Sequence, residues 1–257
     1  MKIGWYAPGG MEMAPLLKDI GYDYIELGLA PLNIEDKTSM RASIRKAAGC
    51  PLPTLVWNNF YPRDIRIVDP GVDETRLKRY LTLVAEFLHA VKAEVIVMGS
   101  AWSRNLSEGA DPARAEVQLV RVLHWAADAF AGCGATIALE AQNHLECNFI
   151  RRVGEAVAIA KKVNRAEIRA MADLYHMQME NESLELLRDV GPWLAHVQVA
   201  DTDRRNPGTG SYPFERFIQC LSDGGYTANL SVECMTEIPE PEIRRSLHFL
   251  RQIAVTH

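Results

Sequence analysis

Eight short apolar runs recur along the chain, and each is followed by a stretch that can form a helix. The runs are rich in Val, Ile, Leu and Met without strict polar alternation, which is typical of strands buried on both faces. They lie at Ile3–Tyr6, Tyr24–Gly28, Pro53–Trp57, Val95–Gly99, Thr136–Glu140, Arg169–Asp173, Ala195–Val199 and Asn229–Glu233. This rhythm predicts an α/β fold, a single (β/α)8 TIM barrel with parallel strands.

The segments between the runs carry helix signals. From Leu77 to Val91 apolar residues repeat at three- and four-residue steps, which places them on one helix face. Asp111 and Pro112 form an N-cap followed by a proline in the first helical position, and the next apolar stripe runs to Phe130. Further helices are predicted at Gly154–Lys162, Ser183–Asp189, Phe214–Ser222 and Pro241–Ile253.

An open doubly wound sheet is the structural alternative. It usually carries a glycine-rich phosphate turn after its first strand, but residues 6–11 read YAPGGM, which is not GxGxxG. The length of 257 residues suits one barrel, and neither a linker nor an internal repeat interrupts the rhythm. We therefore expect residues 1–257 to form one domain.

The composition excludes several classes of partner. The net charge of −5, from 28 basic and 33 acidic residues, gives no support for binding nucleic acid or an anionic membrane. Five cysteines without CxxC spacing argue against a disulfide framework and a structural zinc site. With no leader and no apolar stretch that could span a bilayer, we expect a soluble cytoplasmic protein.

Each of the last four predicted strands ends in a carboxylate or an amide. These residues are Glu140, Asp173, Gln198 and Glu233. The carboxyl ends of barrel strands converge on one face, and like charges gathered there are costly without a cation. The pattern therefore predicts one divalent metal ion held by oxygen ligands, with Mn²⁺ favoured and Mg²⁺, Co²⁺ or Zn²⁺ as alternatives.

The seventh strand offers two candidates for the metal site. His196 and Gln198 are two positions apart, so both point to the same side of the strand. Because Gln198 is nearer the mouth of the barrel, we expect it to be the ligand. His196 is expected to be a deeper structural or supporting group.

Four stretches of this sequence are similar to one known family. They are LEAQNHLE at 139–146, DLYHM at 173–177, the run 198–210 that ends in RRNPGTG, and Val232-Glu233. They resemble the xylose isomerase-like TIM barrels that include ketose 3-epimerases and hydroxypyruvate isomerases. The resemblance covers the C-terminal half of the chain.

The resemblance implies roles for individual residues. Glu140, Asp173, Gln198 and Glu233 would hold the metal, and Glu140 and Glu233 would also move the proton from opposite faces of the substrate. A metal that chelates the carbonyl and the adjacent hydroxyl oxygen stabilises an enediolate, so the neighbouring C–H becomes acidic. The resemblance also implies that His176 and Arg204 contact the negative oxygen. It further implies that Asn143 and Glu146 contact the substrate. A homodimer or homotetramer is expected from the same resemblance.

The first half of the chain offers weaker candidates. Trp57, at the end of the third strand, is a candidate sugar-binding aromatic residue, and simple packing is its alternative role. Other polar or aromatic residues at strand ends are Tyr6, Glu26, Asn58, Ser100, Trp102 and Arg104.

The motifs leave the reaction subtype open. Hydroxypyruvate isomerases have glutamine at the position of Gln198, where ketose 3-epimerases generally have histidine, but the spacing of Glu140, Asn143 and Glu146 is more like the epimerases. The expected function is thus metal-dependent isomerisation or epimerisation of a ketose or small hydroxy-keto acid. A lyase of the inosose dehydratase type is the alternative. An endonuclease IV-type repair enzyme is disfavoured because the third and fourth strand ends lack histidine, and a non-catalytic barrel because the ligand set is complete.

Overall fold

Eight parallel strands close into a barrel in chain order, and the last strand pairs with the first. The computed structural model describes residues 1–68, 70–234 and 238–255. The strands are β1 Ile3–Tyr6, β2 Tyr24–Gly28, β3 Val56–Asn58, β4 Val95–Met98, β5 Thr136–Leu139, β6 Ile168–Asp173, β7 Leu194–Val199 and β8 Asn229–Val232. The predicted (β/α)8 barrel is confirmed.

Helices surround the barrel. They are α1 Ala14–Ile20, α2 Lys37–Ala48, α3 Glu74–Val91, α4 Ala101–Arg104, α5 Pro112–Phe130, α6 Val153–Val163, α7 Leu174–Met179, α8 Leu186–Val190, α9 Phe214–Asp223 and α10 Glu240–Val255. The sequence pattern did not predict α1, α2, α4 and α7. Three of these are short, and α2 buries only Met40 and Ala47, so it lacks an apolar stripe.

One predicted strand begins later than expected. The third strand was predicted from Pro53, but β3 begins at Val56. The carbonyl of Pro53 accepts a hydrogen bond from the amide of Ile25. Proline has no N–H to return to the neighbouring strand, so regular pairing cannot begin there.

The long helices begin at aspartate caps. Asp73 accepts from the amide of Arg76 at 2.9 Å and starts α3, and Asp111 accepts from the amide of Ala113 at 2.9 Å before Pro112. The predicted cap of α5 is therefore confirmed. Each carboxylate satisfies an amide that has no partner within its own helix.

The barrel interior changes from apolar to polar along the strands. Its apolar layer consists of Tyr24, Val56, Val95, Val97, Ala138 and Met171. Alternate residues of a strand share a side, so the residues two positions after four of these also point inward. Those residues are Glu26, Asn58, Glu140 and Asp173, and they form a polar layer above the apolar one.

No helix within the described ranges is both long enough and apolar enough to cross a membrane.

Gly4 leaves the space that Tyr24 fills in the barrel interior. A Cβ at Gly4 would overlap the Tyr24 ring, which is fully buried and whose hydroxyl lies 2.8 Å from Ser231 Oγ. We expect Gly4→Ala to lower the free energy of unfolding by about 1–3 kcal/mol, because an interior overlap forces the ring out of place. Chemical denaturation measures this change.

Gly9→Ala is the matched control, because a Cβ there has no neighbour within 4 Å. If both variants unfold at the same denaturant concentration, Gly4 is not required by the packing of Tyr24.

Candidate active site

Glu140, Asp173 and His176 meet at the carboxyl ends of β5 and β6. One potential ligand atom from each lies within 4.8 Å of the others, and all three side chains are buried. His176 Nε2 lies 3.4 Å from Glu140 Oε1 and 3.9 Å from Asp173 Oδ2. Asp173 also caps α7 by accepting from the amide of Tyr175 at 2.7 Å, so β6 turns directly into the helix that carries His176.

The protonation of His176 is set by Asn143. Both the backbone amide and the side-chain amide of Asn143 donate to His176 Nδ1, at 3.2 and 2.8 Å. Because Nδ1 accepts, the ring hydrogen is on Nε2 and points at the carboxylates.

Three residues support Glu140 from behind. A Cβ at Gly99 would overlap Glu140 Oε2, so only glycine leaves room for the carboxylate there. Gln142 Nε2 donates to the same oxygen at 3.3 Å. The fully buried Arg104 donates to the backbone carbonyls of Glu140 and Met98, at 2.7 and 3.0 Å, and to Gln142 Oε1 at 3.2 Å. Arg104 thus connects the ends of β4 and β5.

Gln198 reaches across the barrel interior to Glu26. Its Nε2 donates to Glu26 Oε1 at 2.7 Å, although β2 and β7 are not neighbouring strands. Gln198 Oε1 is buried and has no hydrogen-bond partner in the part of the chain that the structure describes. His196, two residues deeper on β7, contacts Glu26 Oε2 at 3.2 Å.

Glu233 follows β8 and contacts residues from two other segments. Its Oε2 lies 3.3 Å from an Arg204 nitrogen, and its Oε1 accepts from Asn58 at 3.2 Å. Burial raises the pKa of Glu233 to about 8, helped by the carboxylates of Glu140 and Asp173 and opposed by Arg204. The two glutamates are therefore close enough to influence each other's charge.

Arg204 lies in a loop that Asp201 organises. The Asp201 carboxylate accepts from five backbone amides, those of residues 202, 208, 209, 210 and 212. This array holds Arg204 at a positive φ of 59°. Its side chain is only 13% exposed, and its guanidinium donates to Glu146 at 2.8 Å and stacks 4.9 Å from the Tyr175 ring centre. Arg204 is therefore not a solvated loop residue.

The candidates from the first half of the chain divide into two groups. Trp57 and Tyr6 both line a cavity of about 220 Å³ beside the barrel mouth, although Trp57 is fully buried and also packs on Phe87. Ser100 and Trp102 instead hydrogen-bond the backbone of residues 61 and 62. These two residues hold a loop.

The sequence reasoning did not assign Gln142 or Arg104 to the support of Glu140. Gln142 belongs to the LEAQNHLE motif, and its spacing of two from Glu140 is a signal that both can lie on one side of the chain. Arg104 lies four residues after Ser100 in a short helix. Sequence spacing therefore does not predict that its side chain contacts the ends of β4 and β5. Glu26 was noted only as a strand-end residue.

The chain matches the model of one known protein family. The family model described as "Xylose isomerase-like TIM barrel" matches residues 14–253. The chain therefore belongs to the xylose isomerase-like TIM barrel family, and it is an enzyme of the sugar isomerase and epimerase type.

Individual relatives carry several activities. The chain is 27% identical to the D-psicose 3-epimerase of Agrobacterium fabrum, over 89% of this chain and 80% of that one. It is 27% identical to the Escherichia coli 3-dehydro-D-guloside 4-epimerase, over 98% and 99% of the two chains. It is 31% identical to a provisionally named hydroxypyruvate isomerase of Streptomyces coelicolor, over 64% and 61%.

A solved structure has the same fold over its full length. The D-psicose 3-epimerase of Clostridium cellulolyticum, crystallised with D-tagatose, superimposes with a TM-score of 0.87. It shares 19% sequence identity, and the match covers 99% of each chain. The barrel is therefore retained at low identity.

Asp201→Asn tests the organisation of the Arg204 loop. Asparagine has one acceptor oxygen and one NH₂ group. The NH₂ group cannot accept, and it would face either two or three of the backbone amides that now donate to Asp201. We expect a loss of about 2–4 kcal/mol in the free energy of unfolding, since bonds to a charged acceptor are strong and buried donors would lose their partner. Trypsin should also cut faster after Arg204 and Arg205.

Asp203→Asn in the same loop is the control, because the Asp203 side chain is 81% exposed. Equal cleavage rates for the two variants would show that the Asp201 array does not order the loop.

Proposed function

We propose that this protein is a divalent-metal-dependent epimerase that moves a proton at the carbon next to a ketose carbonyl. The observation that carries the proposal is an incomplete charge balance in the barrel mouth. The buried carboxylates there are Glu26, Glu140, Asp173 and Glu233. Among the described residues, Arg204 places a guanidinium against one of them, Glu233, at 3.3 Å, whereas Arg104 donates to backbone carbonyls and to Gln142. A divalent cation would balance two of the other three charges.

The donor set fits such a cation. We assign Glu140, Asp173, Gln198 and Glu233 as its ligands, because Gln198 Oε1 is a buried acceptor without a partner among the described residues. His176 Nε2 lies near the same carboxylates but carries a hydrogen, and an N–H cannot bind a cation. Among the metals considered, an oxygen-rich set suits Mn²⁺ and Mg²⁺, and we favour Mn²⁺. When bound, the metal acts as a Lewis acid on the substrate's carbonyl and hydroxyl oxygens.

The two glutamates are placed to exchange protons with the substrate. Glu140 and Glu233 follow strands β5 and β8, which are separated by two other strands, so they enter the site from different sides. One carboxylate removes the proton next to the carbonyl, and the other returns a proton to the opposite face. Gln142 and Asn58 each donate to one of the two glutamates and limit their motion.

Two donors serve the oxygen that becomes negative in the resulting enediolate. His176 presents its Nε2 hydrogen, which Asn143 fixes on that nitrogen. Arg204 presents a guanidinium that is positioned by Glu146 and Glu233. Donors that are already in place stabilise developing charge without reorganisation at the moment of reaction.

These observations favour the epimerisation of a ketose. The relatives matched over most of their length are epimerases. Glu146, which is part of the spacing that resembles the epimerases, accepts a hydrogen bond from Arg204 at the mouth of the site. Isomerisation of a small hydroxy-keto acid such as hydroxypyruvate is the second candidate. Gln198 favours this candidate, because glutamine replaces the histidine that is general in ketose 3-epimerases.

Glu140→Gln and Glu233→Gln test the proton transfer. Each change should lower kcat by about 10²–10⁴-fold, because a general acid or base is lost while size and most hydrogen bonds are retained. A substrate panel of ketohexoses, ketopentoses, 3-keto glycosides, hydroxypyruvate and inososes is run in deuterated water. Mass spectrometry and NMR then identify the carbon that gains deuterium.

Glu182→Gln is the matched control, since Glu182 is also buried but caps α6 through the amides of Val153 and Gly154. It should retain activity. Turnover without deuterium uptake, or full activity in both site variants, would overturn the proton-transfer proposal. Loss of the hydroxyl group as water would instead identify a lyase.

Calorimetry with Mn²⁺ tests the metal site directly. We expect one Mn²⁺ ion per chain after treatment with a chelator, and an increase of about 10-fold or more in the dissociation constant for Asp173→Asn, which removes a charged ligand. Asp128→Asn is the control, because the Asp128 side chain is 69% exposed and, among the described residues, bonds only Arg165. Activity that survives complete metal removal would contradict the assignment.

A further inference from the structure

Glu26 is a fully buried carboxylate that the proposed metal does not contact directly. Its two oxygens are occupied by three donors from the barrel interior. Oε1 accepts from Gln198 at 2.7 Å and from Asn58 at 3.0 Å, and Oε2 lies 3.2 Å from His196 Nε2. A carboxylate only accepts hydrogen bonds, so Glu26 dictates which atom each neighbour turns toward it.

This constraint has a specific consequence for Gln198. The two ends of a side-chain amide are similar in size but opposite in function, because the oxygen accepts and the nitrogen only donates. With Nε2 held by Glu26, Oε1 must point away from Glu26, and it has no partner among the described residues. The reversed amide would turn N–H groups toward the acidic ligands and would exclude a cation.

We propose that Glu26 is a positioning residue that fixes the Gln198 amide with its oxygen available to the metal. This inference rests on the proposed metal site and goes beyond it, since it assigns a role to a residue outside the ligand set. Supporting groups of this kind commonly determine how well a ligand binds its metal. Here the role of Glu26 is to determine whether the oxygen or the nitrogen of the Gln198 amide faces the metal.

His196 provides a matched comparison, because it contacts the same carboxylate on its other oxygen. Like Glu26 and Gln198 it is wholly buried. Removing His196 disturbs the interior to a similar extent but leaves the bond from Gln198 to Glu26 intact. A purely structural role for Glu26 would make changes at the two positions equivalent.

The conservative change Glu26→Gln can keep the bond to Gln198. The new amide oxygen can accept from Gln198 and Asn58, while its nitrogen would face His196. His196 can adapt by moving its hydrogen to Nδ1, which has no partner within the described residues. This variant should therefore rescue what an apolar residue at position 26 loses.

The test is titration with Mn²⁺ by calorimetry, combined with thermal unfolding of the metal-free protein. We expect Glu26→Leu to raise the Mn²⁺ dissociation constant by about 10–100-fold, as for other groups that orient metal ligands. His196→Leu should stay within about threefold of the unaltered chain, since the amide remains fixed. Glu26→Gln should bind Mn²⁺ more tightly than Glu26→Leu for the same reason, although it also loses one of the negative charges of the site. Equal dissociation constants for Glu26→Leu and His196→Leu would reduce Glu26 to a structural role.

The failure of the proposed function is distinguishable from the failure of this inference. If the unaltered chain binds no Mn²⁺, the metal site itself is wrong and both are overturned. If it binds Mn²⁺ and Glu26→Leu binds equally well, only the role of Glu26 is overturned.

A second measurement needs no variant that removes Glu26. In the ¹⁵N-glutamine-labelled chain, the side-chain NH₂ of Gln198 should exchange slowly with water before and after addition of diamagnetic Mg²⁺. The reason is that the nitrogen stays on Glu26 in both states. An NH₂ group that becomes protected only when Mg²⁺ binds would show that the metal, and not Glu26, turns the amide.

Discussion

Four carboxylates lie together in the mouth of this barrel and repel one another. Most of the surrounding polar contacts counteract this repulsion. Glu26, Glu140, Asp173 and Glu233 are each less than a tenth exposed. In such a site water cannot screen the charges, and burial raises the pKa of both Asp173 and Glu233. The fold can keep these groups ionised only by placing donors and cations against each of them.

The donors are supplied from different elements, so each carboxylate is held separately. Asp173 is satisfied by the first amides of α7, and Glu140 by Gln142, which Arg104 holds in turn. Asn58 donates to both Glu26 and Glu233 and thereby joins β2 to β8 across the interior. The site is therefore stiff before any substrate arrives, and this suits a reaction that depends on placing charge within fractions of an ångström.

How far the sequence predicts this arrangement depends on the range of each interaction. Strand periodicity and the convergence of strand ends were enough to bring Glu140, Asp173, Gln198 and Glu233 to one face. The hydrogen-bond partners of these residues could not be predicted in this way. The return of Arg104 to the β4 and β5 ends, and the bond from Gln198 to Glu26 across the barrel, depend on side-chain directions that arise only after the barrel closes.

In the proposed metal site, the choice of a neutral fourth ligand follows from the same constraint. Asn143 places the hydrogen of His176 on Nε2, so His176 can donate to a substrate oxygen but cannot bind a cation. Gln198, turned by Glu26, adds an oxygen ligand without a further charge. A glutamate at that position would add one more buried negative charge to those that the cation already has to balance. Two hydrogen bonds, from Asn143 to His176 and from Gln198 to Glu26, would thus determine which neighbouring group binds the proposed metal and which serves the substrate.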